Sequence, residues 1–113
     1  MAGPIPESWR TDVVRILRTS DRRLIEWTIP ALQGWETDTF GNAEPYEAEE
    51  AMIKALECDD VVGNETTSYR GQCGTYELFF PFGGRQMYGK IALYEDRLRI
   101  LILSAHKPKR PTL

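Results

Sequence analysis

Histidine occurs once in the 113 residues and cysteine twice, and these scarcities exclude several kinds of site chemistry. Cys58 and Cys73 lie outside any Cys-x-x-Cys spacing and, with His106, match no zinc-ligand pattern. No metal and no cofactor is therefore expected, and the thiols read as a packing residue and a loop thiol rather than a disulfide. The chain also lacks a phosphate-binding glycine motif. Gly83 and Gly84 follow Pro81-Phe82 as a hairpin loop and do not open a helix, which argues against nucleotide-binding folds. Ser104 stands on a strand with His106 and not on a nucleophile elbow, so a serine triad lacks support. No apolar run approaches the length of a membrane span, and Met-Ala-Gly-Pro-Ile-Pro-Glu has neither the basic nor the apolar region of a signal peptide. A soluble, cytoplasmic chain with no membrane partner is the expectation.

What is present suits one globular domain over residues 1–113, with 42% hydrophobic content and a basic tail over 107–113. The formal charge of −3 argues against non-specific coating of nucleic acid. That average hides a polarity. Arg10, Arg15, Arg18, Arg22 and Arg23 crowd one end, and Arg97, Arg99, Lys107, Lys109 and Arg110 the other, while 36–65 is acidic almost throughout. If the two basic ends meet, they make a cationic patch on an acidic body; otherwise they are ordinary solvated faces.

Periodicity then divides the chain. Ser8 is placed to cap a helix in which Trp9, Val13, Ile16 and Leu17 recur at helical spacing, ending near Thr19 or Ser20. Arg23 to Ile29 reads as a short extended segment limited by Pro30, Ala31 to Trp35 as one helical turn, and 36–42 as a loop. A second full helix spans Glu44 to Leu56, with Ala48, Ala51, Met52 and Leu56 as its apolar stripe. A strand follows from Val61 to Tyr69, interrupted at Gly63-Asn64, and Gly71 to Gly74 is a turn.

The most structured stretch runs from Gly74 to His106, where three aromatic and branched runs are separated by Gly83-Gly84 and by Glu95-Asp96. They predict three consecutive strands of an antiparallel meander. The last, with Ile100 to Leu103 unbroken, predicts cover on both faces; the middle one alternates, with Met87, Ile91 and Leu93 on one face and Gln86, Tyr88, Lys90 and Tyr94 on the other. The fold class is thus α+β, N-terminal helices on a C-terminal antiparallel meander.

On that meander Glu77, Tyr88, Lys90 and His106 can meet on one surface, with Arg85 and the basic tail beside them. A carboxylate, a phenol, an imidazole and cations are parts for breaking a phosphodiester without a metal. A base deprotonates the ribose 2′-hydroxyl, an acid protonates the leaving 5′-oxygen, and cations stabilise the charge that develops on phosphorus. The 2′-hydroxyl makes RNA the substrate. The plainer alternatives are a cross-strand ion pair for Glu77 and Lys90, a half-buried packing role for Tyr88, and a structural histidine at a strand end.

The segments Tyr76-Glu77-Leu78-Phe79-Phe80, Met87-Tyr88-Gly89-Lys90-Ile91 and Ser104-Ala105-His106 resemble the C-terminal half of the MqsR toxins, in the RelE-like group of mRNA interferases. The N-terminal order of helix, extended Trp27-Thr28 segment, and helix ending at Leu56 agrees with that resemblance. It implies a RelE-like fold and the toxin of a type II toxin-antitoxin pair, with mRNA as substrate, a cognate antitoxin as partner, and a homo-oligomer or hetero-oligomer with it. By position the family's tyrosine falls on Tyr88, its glutamine on Glu77 and its C-terminal lysine on His106. The lysine it carries after the second helix falls near Gly63, with no other cation close. The implied roles are Glu77 as general base, His106 as general acid, Tyr88 as a positioning or proton-transfer group, and Arg85, Lys90, Lys107 and Arg110 as RNA or phosphate contacts. The rival expectation is a non-catalytic binding or regulatory module on the same scaffold.

Overall fold

The computed structural model describes residues 2–113, and the α+β expectation holds: three helices pack on one mixed six-stranded sheet. In chain order the elements are β1 (Gly3–Pro4), α1 (Glu7–Thr19), β2 (Ile25–Trp27), α2 (Ile29–Asp38), α3 (Pro45–Leu56), β3 (Val62–Thr66), β4 (Gln72–Phe82), β5 (Arg85–Tyr94) and β6 (Ile100–His106). Spatially the strands run β1-β3-β4-β5-β6-β2. Strands β3 to β6 form the antiparallel meander, whereas β2 joins the far edge parallel to β6, pairing Ile25 to Trp27 with Ile100 to Ile102.

Each helix starts beside a proline, and this corrects two boundaries. Ser8 does not cap α1: the helix begins at Glu7, with Pro6 as its N-cap residue and its carbonyl accepting from the Arg10 N–H. Pro30 does not merely end a strand. It occupies the first turn of α2, where its missing N–H costs nothing and its fixed φ suits the helix, while Thr28 Oγ1 accepts from the Ala31 N–H at 3.2 Å. The expected single turn is therefore a 10-residue helix that reaches into the expected loop. α3 is closed by a capping box between Glu44 and Glu47.

All three helices cover the same face of the sheet. Trp9 of α1 meets Tyr76 edge-on with centroids 4.9 Å apart and donates its indole N–H to the Gly74 carbonyl at 3.0 Å. Trp35 of α2 meets Phe80 and Phe82, and Met52 of α3 lies over Gly89, where an added Cβ would come within 3.2 Å of its Cε. Tyr76, Phe80, Phe82 and Gly89 all point to that side by strand alternation.

The other face has no helix, so β6 is not covered on both sides. Ile100 and Ile102 are buried, but Leu101 and Leu103 are half-buried. β3 also runs unbroken through Gly63 and Asn64 and ends at Thr66, short of Tyr69; the turn before β4 lies at Arg70-Gly71, and Gly74 is already inside the strand. Cys58 and Cys73 are both exposed free thiols, so neither is a packing residue. Among the described residues no helix is long and apolar enough to cross a membrane.

Candidate functional site

Two cross-strand rows of the open face carry the reactive side chains. Asn64, Glu77, Lys90 and Ser104 pair in succession across β3, β4, β5 and β6, and the adjacent row is Phe79, Tyr88 and His106. A β-bulge completes both rows. Ile91 pairs with Ile102 but Lys90 pairs with Ser104, which leaves Leu103 as the extra residue. The break in alternation sends Ala105 into the core and turns Ser104 and His106 to the open face. In an unbroken strand His106 would share the face of Ile100 and Ile102.

Glu77 is the hub. Its side of the sheet is closed by neighbours, leaving the residue 8% exposed, and its carboxylate has two hydrogen-bond donors and one cation beside it. Tyr88 Oη donates to Oε2 at 2.6 Å, Asn64 Nδ2 donates to Oε1 at 3.2 Å, and Arg110 Nη2 forms an ion pair with Oε1 at 3.5 Å. Burial pushes the Glu77 carboxyl up, but the hydrogen bonds from Tyr88 and Asn64 and the charges of Arg110 and Lys90 outweigh it and hold it below its ordinary value. Tyr88 moves the other way: burial, then the hydrogen bond to Glu77 and that carboxylate's charge, push its phenol well up. At neutral pH Glu77 is ionised and Tyr88 keeps its proton.

His106 stacks on Tyr88 with centroids 5.0 Å apart and planes 27° from parallel, and Phe79 meets Tyr88 edge-on at 6.4 Å. His106 Nδ1 lies 2.7 Å from the Lys107 carbonyl oxygen. A carbonyl only accepts, so Nδ1 carries a proton and Nε2 is the ring atom left to exchange one. Between these rings and the returning C-terminal tail lies a cavity of about 220 Å³, bounded by Tyr88, Ser104, His106, Lys109, Arg110 and Thr112.

The sequence-derived cations do not all gather here. Arg110 reaches Glu77, and Lys90 faces Glu77 across the ladder. Lys107 points elsewhere, its ammonium 5.7 Å from the Phe40 ring centroid, and Arg85 lines a separate depression with Asp38, Phe40 and Phe82. The N-terminal arginines do not extend the patch: Arg10 donates to the Ile5 and Leu56 carbonyls, and the other four are paired one by one. Arg15 bonds Asp12, Arg18 pairs with Glu57, Arg22 with the buried Glu49, and Arg23 with Asp21. Arg97, from the other basic stretch, also bonds Asp12, so where the two ends do touch a carboxylate lies between them.

Sequence reasoning missed Asn64, Ser104 and Lys109. The signal for Asn64 was one residue away. Gly63 pairs with Leu78 and faces the helices, where an added Cβ would stand 2.4 Å from the Glu77 carbonyl oxygen, so no side chain fits there; Asn64 pairs with Glu77 and faces the site. Among the described residues no three His, Cys, Asp or Glu side chains come together to hold a metal ion. What the cluster offers is one phenol that keeps its proton, one imidazole and two cations around a cavity, with one ionised carboxylate bound behind the phenol and one of the cations. That set can bind an anion and move protons beside it. No protein-family model, curated protein or solved structure matches this chain.

Proposed function

We propose that this chain is a metal-independent endoribonuclease of RelE-like fold, the toxin of a type II toxin-antitoxin pair. The observation that carries the reading is the convergence of Tyr88 and His106 with Arg110 and Lys109 about one cavity of the open sheet face, with Glu77 bound to two of its walls, Tyr88 and Arg110. The scissile phosphate sits between Arg110 and Lys109. The 2′-oxygen attacks phosphorus as Glu77 takes its proton, the bond from phosphorus to the 5′-oxygen breaks, and His106, entering the step as the imidazolium with protons on both ring nitrogens, gives its Nε2 proton to that oxygen. The products are a 2′,3′-cyclic phosphate and a 5′-hydroxyl.

A carboxylate held below its ordinary value is a weak base. The phosphate, however, competes with Glu77 for Arg110, and drawing that cation away raises the affinity of the carboxylate for a proton. Substrate binding therefore readies the base. Tyr88 keeps its proton throughout and donates it as a hydrogen bond, first to Glu77 and then to the developing oxyanion.

A second reading, a non-catalytic binding module, is favoured by Gly63, where the cation of the resembled toxins is absent and sterically excluded. Purified protein incubated with RNA separates the two. Cleavage that persists in EDTA, leaves a cyclic phosphate and stops on 2′-deoxy substitution at the cut site supports the nuclease. A requirement for a divalent metal defeats this mechanism, and binding without cleavage and without growth arrest on expression supports the module.

A further inference from the structure

We propose that Phe40, Arg85 and Lys107 form a stacking platform for an unpaired nucleobase of single-stranded RNA, round the end of the sheet from the Glu77 cluster. This rests on the reading of the chain as an RNA-acting protein and assigns to the substrate a second, non-reacting contact. Phe40 is 72% exposed, and it holds a left-handed backbone conformation with φ of 56° just past the end of α2. That position favours glycine, and Gly41 follows immediately with φ of 70°. The chain thus tolerates a strained backbone and an aromatic ring in water at one residue, the combination that marks a functional contact rather than a packing one.

The surroundings of the ring define the ligand. Lys107 Nζ lies 5.7 Å from its centroid, and Arg85 and Phe82 share with it a depression of about 240 Å³. Neither the Arg85 nor the Lys107 side chain has a carboxylate partner among the described residues. The one acid in the depression, Asp38, is engaged: its Oδ2 accepts the Lys107 backbone N–H at 2.8 Å. A flat aromatic face flanked by unpaired cations suits a base with its phosphates, which stack on aromatic rings and pair with such charges. The platform adjoins the reactive cluster through the chain itself. Lys107 follows His106, and Arg85 stands three residues before Tyr88 on β5, roughly 10 Å along the strand and, by alternation, on the helix side of the sheet with its partner Phe82. One single strand therefore engages both by passing round the end of the sheet where β5 begins and β6 ends.

The test is binding of a short 2′-deoxy oligonucleotide, which cannot be cut by 2′-hydroxyl attack and so reads the platform apart from the chemistry. Phe40→Ala should weaken binding roughly tenfold, Phe40→Leu nearly as much, and Phe40→Tyr little, because stacking needs a ring and not merely an apolar surface. Arg85→Ala should flatten the salt dependence by about 0.7 in log-log slope, as one phosphate contact to a single strand does. Phe40→Gly relieves the left-handed strain, so it should raise the melting temperature while weakening binding, which separates a missing ring from a damaged fold. Failure of the wild type to bind the oligonucleotide overturns the platform, as does unchanged affinity in Phe40→Ala. Leucine substituting fully for phenylalanine, with capture of a protein partner abolished only in Phe40→Ala, points to a protein contact and overturns it too. RNA cleavage that persists while Phe40 proves indifferent leaves the nuclease standing without the platform. Ring-dependent oligonucleotide binding without cleavage leaves the platform standing without the nuclease.

Discussion

The Tyr88 hydroxyl donates to Glu77 Oε2 at 2.6 Å along a diagonal of the β4–β5 ladder, since Tyr88 pairs with Phe79 and Glu77 with Lys90. Diagonal neighbours on one sheet face lie within reach of long side chains, and this pair uses that reach to shift the two groups in opposite directions, the carboxylate kept charged and the phenol kept neutral. The carboxyl is held down and the phenol pushed up.

Because the Glu77 carboxyl is depressed, the folded chain binds fewer protons there than the unfolded chain. Its stabilisation is present above the ordinary value of 4.5 and is lost as pH falls through the lower folded value. Glu77→Gln should therefore unfold at lower urea concentration than wild type at about pH 7, with the gap closing at about pH 3. An equal gap at both would mean that the charge is not what stabilises. Tyr88 has the opposite sense: its contribution is present below the ordinary 10.0 and fades as pH rises through the raised folded value. Tyr88→Phe should remove the most alkaline step from the tyrosinate absorbance titration.

His106→Ala should lower RNA cleavage by roughly a hundredfold or more, the usual share of one acid-base group, with a melting temperature close to wild type. The stack on Tyr88 lies on the open face, outside the hydrophobic core, so little packing is removed. Loss of fold in parallel with loss of activity would assign the histidine a structural task instead.

The bulge makes neighbouring leucine and isoleucines of β6 unequal. Ile100→Ala and Ile102→Ala should each cost about 2 to 5 kcal/mol, whereas Leu103→Ala, on the half-buried bulge residue, should cost under about 1.5 kcal/mol. Chemical denaturation measures all three. Comparable losses at the three positions would mean that Leu103 is packed like its neighbours and that His106 is not turned outward by a bulge.

Gly63→Lys should destabilise strongly, because its Cβ meets the Glu77 carbonyl oxygen at 2.4 Å and Ile5 at 2.8 Å. Asn64→Lys, one residue along and facing Glu77, should fold and place a cation beside the carboxylate. Thermal melts of the two variants check this, and a stable Gly63→Lys protein would refute the steric account of the missing lysine.

Much of this protein was fixed by its local pattern. The stripe from Trp9 to Leu17, the Ala48 to Leu56 stripe and the period of two in β5 specified two helices, the meander and the buried face, because burial depends on spacing along the chain. α2 was only partly legible, since Ile29 and Leu32 are exposed while Ala31 and Trp35 are buried, which blurs its helical stripe. The parallel pairing of β2 with β6 is a long-range contact that no local pattern encodes. The site divides in the same way. Glu77, Tyr88 and His106 were readable as residue types on successive strands, but their meeting was decided by register and by one extra residue at Leu103. A single slip in a period-two strand exchanges its faces. Tertiary structure alone also split the cations, sending Arg110 to Glu77 and Lys107 to Phe40, because a charged side chain is directed by what the folded chain sets beside it and not by its place in a basic run.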